Sequence, residues 1–215
     1  MPRVLKLEDV KPILGNLSRA NYFQVQFGGM SVGLYDHLRR RGVNSQFIAD
    51  DLGILCYGAA IPGSSLASVE STNYHGVVEN FAHAKIYSSL SLDFYSDSEY
   101  RAMKFLEHWM EYAVSGNGID NQFYASKFYT HRMQYPDDPT SGYKSESTKM
   151  YKFEPNVQRV LEYSFFGLFP KSLSSVPVSY GSGAGISKIK CEFKYDRYIA
   201  GSTYSYDNFR GLGNN

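Results

Sequence analysis

One stretch, from Ile86 to Gly116, constrains the fold most, because a strand pattern there passes directly into a helix pattern. Between residues 86 and 94, apolar and polar side chains alternate, with Leu90, Leu92 and Phe94 continuing the apolar series of Ile86. Successive side chains of a strand point to opposite faces. The alternation therefore predicts a strand with one face against a core and one polar face.

The helix pattern begins after that strand. Ser96 and Glu99 have the spacing of a capping box, which predicts one flanking α-helix over about 97–115, ending before Gly116. Its apolar residues recur three and four positions apart: Ala102, Met103, Leu106, Trp109, Met110 and Ala113. Trp109 is the only tryptophan of the chain, and we expect it to fill the centre of the core.

The remaining patterns predict a mainly β chain of the α+β class. Strand-like runs occur at 21–27, at 53–61 before the turn Pro62-Gly63, in a long hairpin at 66–85, loosely at 151–169, and at 186–198. The last run alternates Ile189, Cys191, Phe193 and Tyr195 with Lys188, Lys190, Glu192 and Lys194. We predict an antiparallel β-sandwich or barrel, with a helical insertion at about 31–52 and a long loop insertion at about 117–149.

Length favours one domain, since 215 residues bury a core without disulfides or metals. We expect an N-terminal arm at 1–20, a single domain at 21–200 with insertions at 30–52 and 117–149, and a C-terminal tail at 201–215. Cys56 and Cys191 lie far apart in strand-like runs and are predicted to be buried, reduced thiols. No signal peptide and no apolar run long enough for a membrane span is found, which predicts a reducing, aqueous compartment and no membrane partner.

Charge and motifs favour no enzyme and no sequence-specific DNA reader. The net charge is +1. A helix-turn-helix at 31–52, suggested by Arg39-Arg40-Arg41, is disfavoured because its second helix would present Asp50 and Asp51 to phosphates. The glycine-rich run 181–185 fits no nucleotide or nucleophile motif. Asp137-Asp138 is expected to lie in a solvated loop.

The five histidines have no metal-binding spacing, and we expect them to be structural: His37, His75, His83, His108 and His131. We therefore predict no catalytic residues, no cofactor and no metal. Several strands instead carry an ordered polar face that one helix cannot cover. Such sheets can close with copies of themselves into a larger barrel with a polar lumen.

The order of motifs resembles the tail tube protein family of contractile-tailed bacteriophages. The matching segments cover roughly 20–29, 53–116 and 150–200, and together they make the resemblance moderately specific. They are the strand Asn21-Tyr22-Phe23, the run Cys56 to Gly63, the strand and helix with Trp109, the corner Gly167-Leu168-Phe169-Pro170, and the closing strand through Tyr198.

The resemblance implies a structural virion protein whose copies form hexameric rings that stack into a tube. Implied partners are the chain itself, other tube or baseplate proteins, the tail sheath, the tape measure protein, and DNA that passes through the lumen without sequence-specific binding. The implied location is the virion tail, assembled in the host cytoplasm. The residues predicted to matter for fold or assembly are Asn21, Phe23, Pro62, Gly63, Tyr74, Phe81, Trp109, Gly167, Phe169, Pro170, Tyr195 and Tyr198.

Two alternatives stay open at this stage. The insertions and the tail exceed a minimal tube subunit, which keeps a baseplate tube initiator or another specialised ring in consideration. A cellular β-rich module that binds carbohydrate through exposed tyrosines is the alternative from another class, and it predicts a monomer.

Overall fold

The computed structural model describes residues 17–72, 76–115, 132–154, 159–180, 185–201 and 204–205. The helices are α1 (Val32–Arg40), a π-helix (Phe47–Asp51), α2 (Leu52–Leu55) and α3 (Arg101–Ala113). The strands are β1 (Phe23–Gln26), β2 (Cys56–Ala59), β3 (Ser64–Thr72), β4 (Val78–Tyr87), β5 (Leu90–Tyr95), β6 (Val114–Ser115), β7 (Arg132–Met133), β8 (Thr148–Glu154), β9 (Arg159–Phe166), β10 (Phe169–Leu173), β11 (Lys188–Lys194), β12 (Arg197–Ala200) and β13 (Tyr204–Ser205).

Two antiparallel sheets form the body of the described structure. One has the order β1-β8-β9-β12, with β13 also pairing with β9, and the other has the order β10-β11-β5-β2. Their inner faces contribute to a single hydrophobic core. The fold prediction is confirmed as a mainly β sandwich with a flanking helix, and the sheets do not close into a barrel within the described residues.

The closing strand β11 shows why the core forms where it does. Ile189 lies opposite Phe94 and Cys191 opposite Leu92, so the alternating apolar residues of two antiparallel strands meet on one face. All four side chains are at most 1% exposed. Burying a large apolar side chain contributes about 1.5–3 kcal/mol. The predicted burial of both cysteines is confirmed, and burial raises the pKa of each thiol to about 12.

Helix α3 forms as predicted but begins later, and the capping-box prediction was wrong. The residue before it, Tyr100, has a left-handed backbone with φ of 57°. The backbone N–H of Arg101 donates to the Asp97 carboxylate at 2.7 Å, so Asp97 supplies the helix-terminal acceptor. Ser96 is held elsewhere, because its N–H donates to the carbonyl of Ser187. Gly116 lies outside the described residues.

The helical insertion is confirmed, and it extends past the predicted end. Ser31 caps α1 by accepting the Leu34 N–H at 3.1 Å. The strand predicted to start at Gly53 starts at Cys56, because residues 52–55 form α2 beside β1. A Cβ on Gly53 would lie 2.1 Å from the carbonyl oxygen of Val25, so glycine permits this close approach.

Three further boundaries differ from the sequence predictions. The strand predicted at residues 86–94 is divided, since Ile86 belongs to β4 and β5 begins at Leu90. The run 151–169 is two paired strands, β8 and β9, and β8 starts inside the predicted loop insertion. Pro170 lies within β10 rather than ending a strand, which an edge strand tolerates because proline there need not donate. Residues 116–131 of the loop insertion lie outside the described residues.

Candidate assembly surface

A long two-stranded ribbon, formed by β3 and β4, projects from the sandwich. Within the described part of the chain, β3 and β4 pair only with each other. All but two of the residues in the two strands are exposed. The large apolar side chains that the ribbon presents to solvent are Leu66, Val69, Val78, Phe81 and Ile86, each more than half exposed.

The apolar residues occur on both faces of the ribbon. Val69 lies directly opposite Phe81, so these two side chains share one face, and they are 54% and 56% exposed. Val78 is an odd number of residues from Phe81 on β4, with no register shift between them, and therefore points to the other face. A lone two-stranded hairpin is marginal in water. Exposed apolar groups on both faces of a ribbon are typical of a surface that contacts another molecule.

The base of the ribbon is fixed to the sandwich by a polar and aromatic joint. Ser88 donates its N–H to the carbonyl of Gly63 at 3.1 Å, and the Ser88 hydroxyl accepts the Gly63 N–H at 3.0 Å. Pro62 is buried at this joint. The rings of Tyr87 and Tyr198 meet at 5.1 Å, and the Lys85 ammonium lies 5.0 Å from the Tyr198 ring centre. The joint sets where the ribbon leaves the body.

The ends of the two sheets offer further pairing positions. Helix α2 packs beside β1 and helix α3 beside β10. At the other ends, β2 and β12 are edge strands that each pair with one strand of the described structure. Ile199 on β12 is 50% exposed. Edge strands present backbone N–H and C=O groups to which another chain can pair.

The outer face of the second sheet is polar and aromatic. Lys190 lies 4.0 Å from Asp93, and Lys171 lies 3.7 Å from Glu192, so acidic neighbours offset part of the lysine charge of β11. Across the same sheet, the Tyr57 and Tyr95 rings stack at 4.2 Å. The Lys188 ammonium lies 5.3 Å from the Tyr57 ring centre. This face is therefore mixed in charge rather than uniformly basic.

Several of the predicted residues meet around the buried helix. Trp109 is 0% exposed and donates its indole N–H to the Tyr143 carbonyl at 2.7 Å. The Tyr143 ring lies edge-on to Phe169 at 5.5 Å. Gly167 has φ of 70°, and a Cβ there would lie 2.1 Å from an Asp196 carboxylate oxygen. The corner 167–170 thus closes the core beside α3, and Pro170 is buried in it.

The other predicted residues lie at separate places. Asn21 is exposed just before β1, while Phe23 is half-buried and packs on the core. Tyr195 is buried against Phe165 at 5.0 Å between ring centres, and burial raises its pKa to about 12. The Tyr198 ring contacts both the Tyr195 ring and the Tyr87 ring at the ribbon base, where Pro62 and Gly63 also lie. Phe81 is on the ribbon itself. Tyr74 lies outside the described residues.

The sequence patterns did not predict a cluster of two histidines and a glutamate that the structure contains. His37 on α1 meets His108 and Glu111 on α3, with one ligand-capable atom from each lying within 4.8 Å of the others. Residues three apart lie on the same side of a helix, so His108 and Glu111 could have been paired from spacing. His37 is far away in the sequence, and only the packing of α1 on α3 brings it there.

The described residues contain no helix with the length and apolar character needed to cross a bilayer.

Solved structures with a similar fold include a chain of the PVC sheath-tube complex of an extracellular contractile injection system in its extended state. That chain has a TM-score of 0.50 and 11% identity, with 93% of this chain and 99% of that chain covered. The anti-feeding prophage cap, a tube terminating cap, has a TM-score of 0.52 and 12% identity, with 86% and 91% covered.

No curated protein matches this sequence. A family model described as "phage tail tube protein" matches residues 18–201 of this chain. The matched residues span the sandwich, the ribbon and α3. The resemblance drawn from the sequence motifs is thereby confirmed. The chain belongs to the phage tail tube protein family, a family of structural tail proteins.

Proposed function

We propose that this protein is a subunit of a contractile tail tube, in which six copies close into a ring and rings stack into a conduit for DNA during ejection. The observation that carries the proposal is the exposed ribbon β3–β4 on a chain of the tail tube family. The subunit assembles in the host cytoplasm and functions in the virion tail. Its role is to assemble with other copies rather than to catalyse a reaction.

The ribbon supports contact between copies because it lacks a partner of its own in the described structure. Its apolar side chains, Phe81 and Val69 among them, are more than half exposed. A neighbouring copy would remove both faces from water, with about 25 cal/mol gained for each Å² of apolar surface covered. Aromatic residues in the middle of an interface commonly contribute most of the binding energy.

Backbone pairing adds to this side-chain contact. Strands β2 and β12 end the two sheets, and a strand from another copy can extend either sheet by β-augmentation. Each added strand pairs backbone groups that a single copy leaves to water. Because the same edges recur on every copy, such pairing closes a ring when the rotation between neighbours returns to the first subunit.

The lumen of such a tube must let DNA slide. Each lysine that contacts a phosphate adds a salt-dependent grip. The outer face of the second sheet is compatible with a channel or with a sheath contact, because Asp93 and Glu192 offset Lys190 and Lys171. We propose that the tape measure protein occupies the lumen before DNA does, and that a sheath surrounds the tube.

A specialised ring is the second candidate. The fold similarity includes a tube terminating cap as well as a sheath-tube complex. A baseplate tube initiator or another end ring would use the same ribbon within one ring, and would contact other tube or baseplate proteins on one side. Stacking distinguishes the two, because a repeating subunit forms long tubes and an end ring stops at single or paired rings. The carbohydrate-binding alternative has no support from the family match.

Negative-stain microscopy with sedimentation velocity tests the proposal on the purified full chain. We expect rings or tubes from the wild type at high concentration. The double variant Val69→Ser with Phe81→Ser is expected to remain a folded monomer, since it removes apolar groups from one ribbon face. Val32→Ser is the matched control, because Val32 is 63% exposed on α1 and outside the ribbon. A wild type that stays monomeric, or a double variant that assembles normally, contradicts the role given to the ribbon.

A further inference from the structure

The cluster of His37, His108 and Glu111 lies where α1 packs on α3. His108 Nδ1 is 2.8 Å from Glu111 Oε2, and His37 Nε2 is 3.9 Å from the same oxygen. All three side chains are largely but not fully buried, with exposures of 11%, 24% and 29% for His37, His108 and Glu111. One carboxylate oxygen therefore faces two imidazoles in a partly shielded position.

His37 brings an unused ligand atom to this position. Its Nε2 is buried, and no hydrogen-bond partner for it lies among the described residues. A buried polar atom without a partner destabilises the folded state. The 3.9 Å separation from Glu111 is too long for a hydrogen bond. A small cation bound between the three side chains would use this lone pair.

The donor set identifies the class of cation. Two imidazoles and one carboxylate form a well-known type of zinc coordination, with Zn–N and Zn–O distances of about 2.0–2.2 Å. Ligands at such distances lie roughly 3.3 Å from one another in a tetrahedral site, and the three atoms here already lie within 4.8 Å. We propose that His37, His108 and Glu111 bind a zinc ion that links the helical insertion to the core helix α3.

The groups around the cluster are compatible with this assignment. Arg41 Nη2 lies 3.6 Å from Glu111 Oε1, so the arginine addresses the carboxylate oxygen that is not shared with the histidines. Oε2 is left as the single oxygen ligand. The Tyr112 ring packs on His37 at 5.3 Å and limits its rotation.

Zinc at this position would stabilise the folded chain. An ion that binds only the native state adds stability as its concentration exceeds its dissociation constant. Three protein ligands also leave a fourth coordination position for water or for a donor from another molecule. Zinc binding at this site does not require ring assembly, because all three ligands come from one chain.

The test uses tag-free, chelator-treated full-length protein titrated with zinc chloride in a calorimeter. We expect uptake of one equivalent and a rise in Tm. Glu111→Gln keeps the side-chain shape, and His108→Asn replaces the imidazole with a smaller amide. Each removes one ligand and is expected to weaken binding by at least the roughly 10- to 100-fold that changes to outer-shell partners cause. His83→Ala is the matched control, since His83 is exposed on the ribbon strand β4 and lies outside the cluster.

Cobalt substitution provides a second measurement that a purely structural role would not affect. Co²⁺ in a tetrahedral site gives intense visible absorption, which we expect from the wild type and from His83→Ala but not from Glu111→Gln. Circular dichroism checks that each variant is folded. The proposal is overturned if the wild type takes up no zinc, or if the two cluster variants bind it as the wild type does.

Discussion

The sandwich core and the ribbon contain similar apolar residues and use them in opposite ways. In the core, Leu92, Phe94 and Trp109 are 0% exposed and contact residues from both sheets and from α3. On the ribbon, Val69 and Phe81 are more than half exposed, although they lie opposite each other in the two longest strands of the described structure. The core is completed by the chain itself. In the described structure, the two ribbon strands pair only with each other, and most of their side chains are exposed.

The largest effect is expected in the core. Trp109→Ala removes a fully buried ring together with its hydrogen bond to Tyr143, and we expect the free energy of unfolding to fall by about 3–5 kcal/mol. Urea unfolding of the monomer followed by circular dichroism measures this. Trp109→Phe keeps most of the volume and is expected to lose less. A loss below about 1 kcal/mol for Trp109→Ala would contradict the central packing of α3.

Gly167→Ala tests the corner that closes the core. The new Cβ would meet Asp196 at 2.1 Å, in a backbone conformation that side chains rarely adopt. We expect a loss of about 1–3 kcal/mol in the same urea experiment. Gly185→Ala is the matched control, because a Cβ there meets nothing within 4 Å, and its stability should stay near that of the wild type. Equal losses of stability at the two glycines would contradict the role of the corner in closing the core.

Asp97→Asn tests the observed start of α3. Burial opposes ionisation of Asp97, but hydrogen bonds from the side chain and backbone of Arg101 and a hydrogen bond from the backbone of Ala102 lower its pKa overall. A carboxyl whose pKa is lowered by folding stabilises the protein above its unfolded pKa of about 3.9. That stability is lost as the pH falls through the lower pKa of the folded state.

Asp97→Asn keeps an oxygen acceptor but loses the charge that faces Arg101, so we expect it to cost about 1 kcal/mol at pH 7 and progressively less at acid pH. Urea unfolding at a series of pH values measures this. Ser96→Ala is the control, because the capping box predicted from the sequence would make Ser96 the important residue. If Ser96→Ala were the more destabilising change at pH 7, the assignment of the cap to Asp97 would be wrong.

The smallest effect is expected on the ribbon. Phe81→Ala should change the stability of the monomer by no more than about 0.5 kcal/mol, because the side chain is 56% exposed and makes no core contact. The same change should reduce assembly in sedimentation velocity. The contrast with Trp109→Ala would fail if Phe81→Ala destabilised the isolated monomer by several kcal/mol.

The sequence predicted the elements in which buried and exposed residues repeat at a regular spacing along the chain. The alternation at 189–195 and the stripe containing Trp109 each record which face is buried, so strand β11 and helix α3 were found. The cap of α3 was assigned to Ser96 instead of Asp97, because the left-handed Tyr100 that displaces the start cannot be read from composition. Likewise, α2 continues to Leu55 because Gly53 permits close packing on β1, which is a tertiary effect.

The candidate surface was predicted less completely than the fold. Strands flanking a turn indicated the hairpin, but exposure on both of its faces depends on where it leaves the body, and that position is set by Ser88 and Tyr198. His37 and His108 come from helices far apart in the sequence and meet only through packing. Contacts made between copies leave even less signal in one chain, since each partner residue belongs to another molecule.

Cryo-electron microscopy of the purified chain at high concentration is the most direct test of the assembly account. We predict rings in which Val69 and Phe81 of each copy are covered by the next copy, with the ribbon base at Gly63 and Ser88 unchanged. A stable monomer under these conditions, or rings in which the ribbon projects into solvent without touching a neighbour, would contradict it.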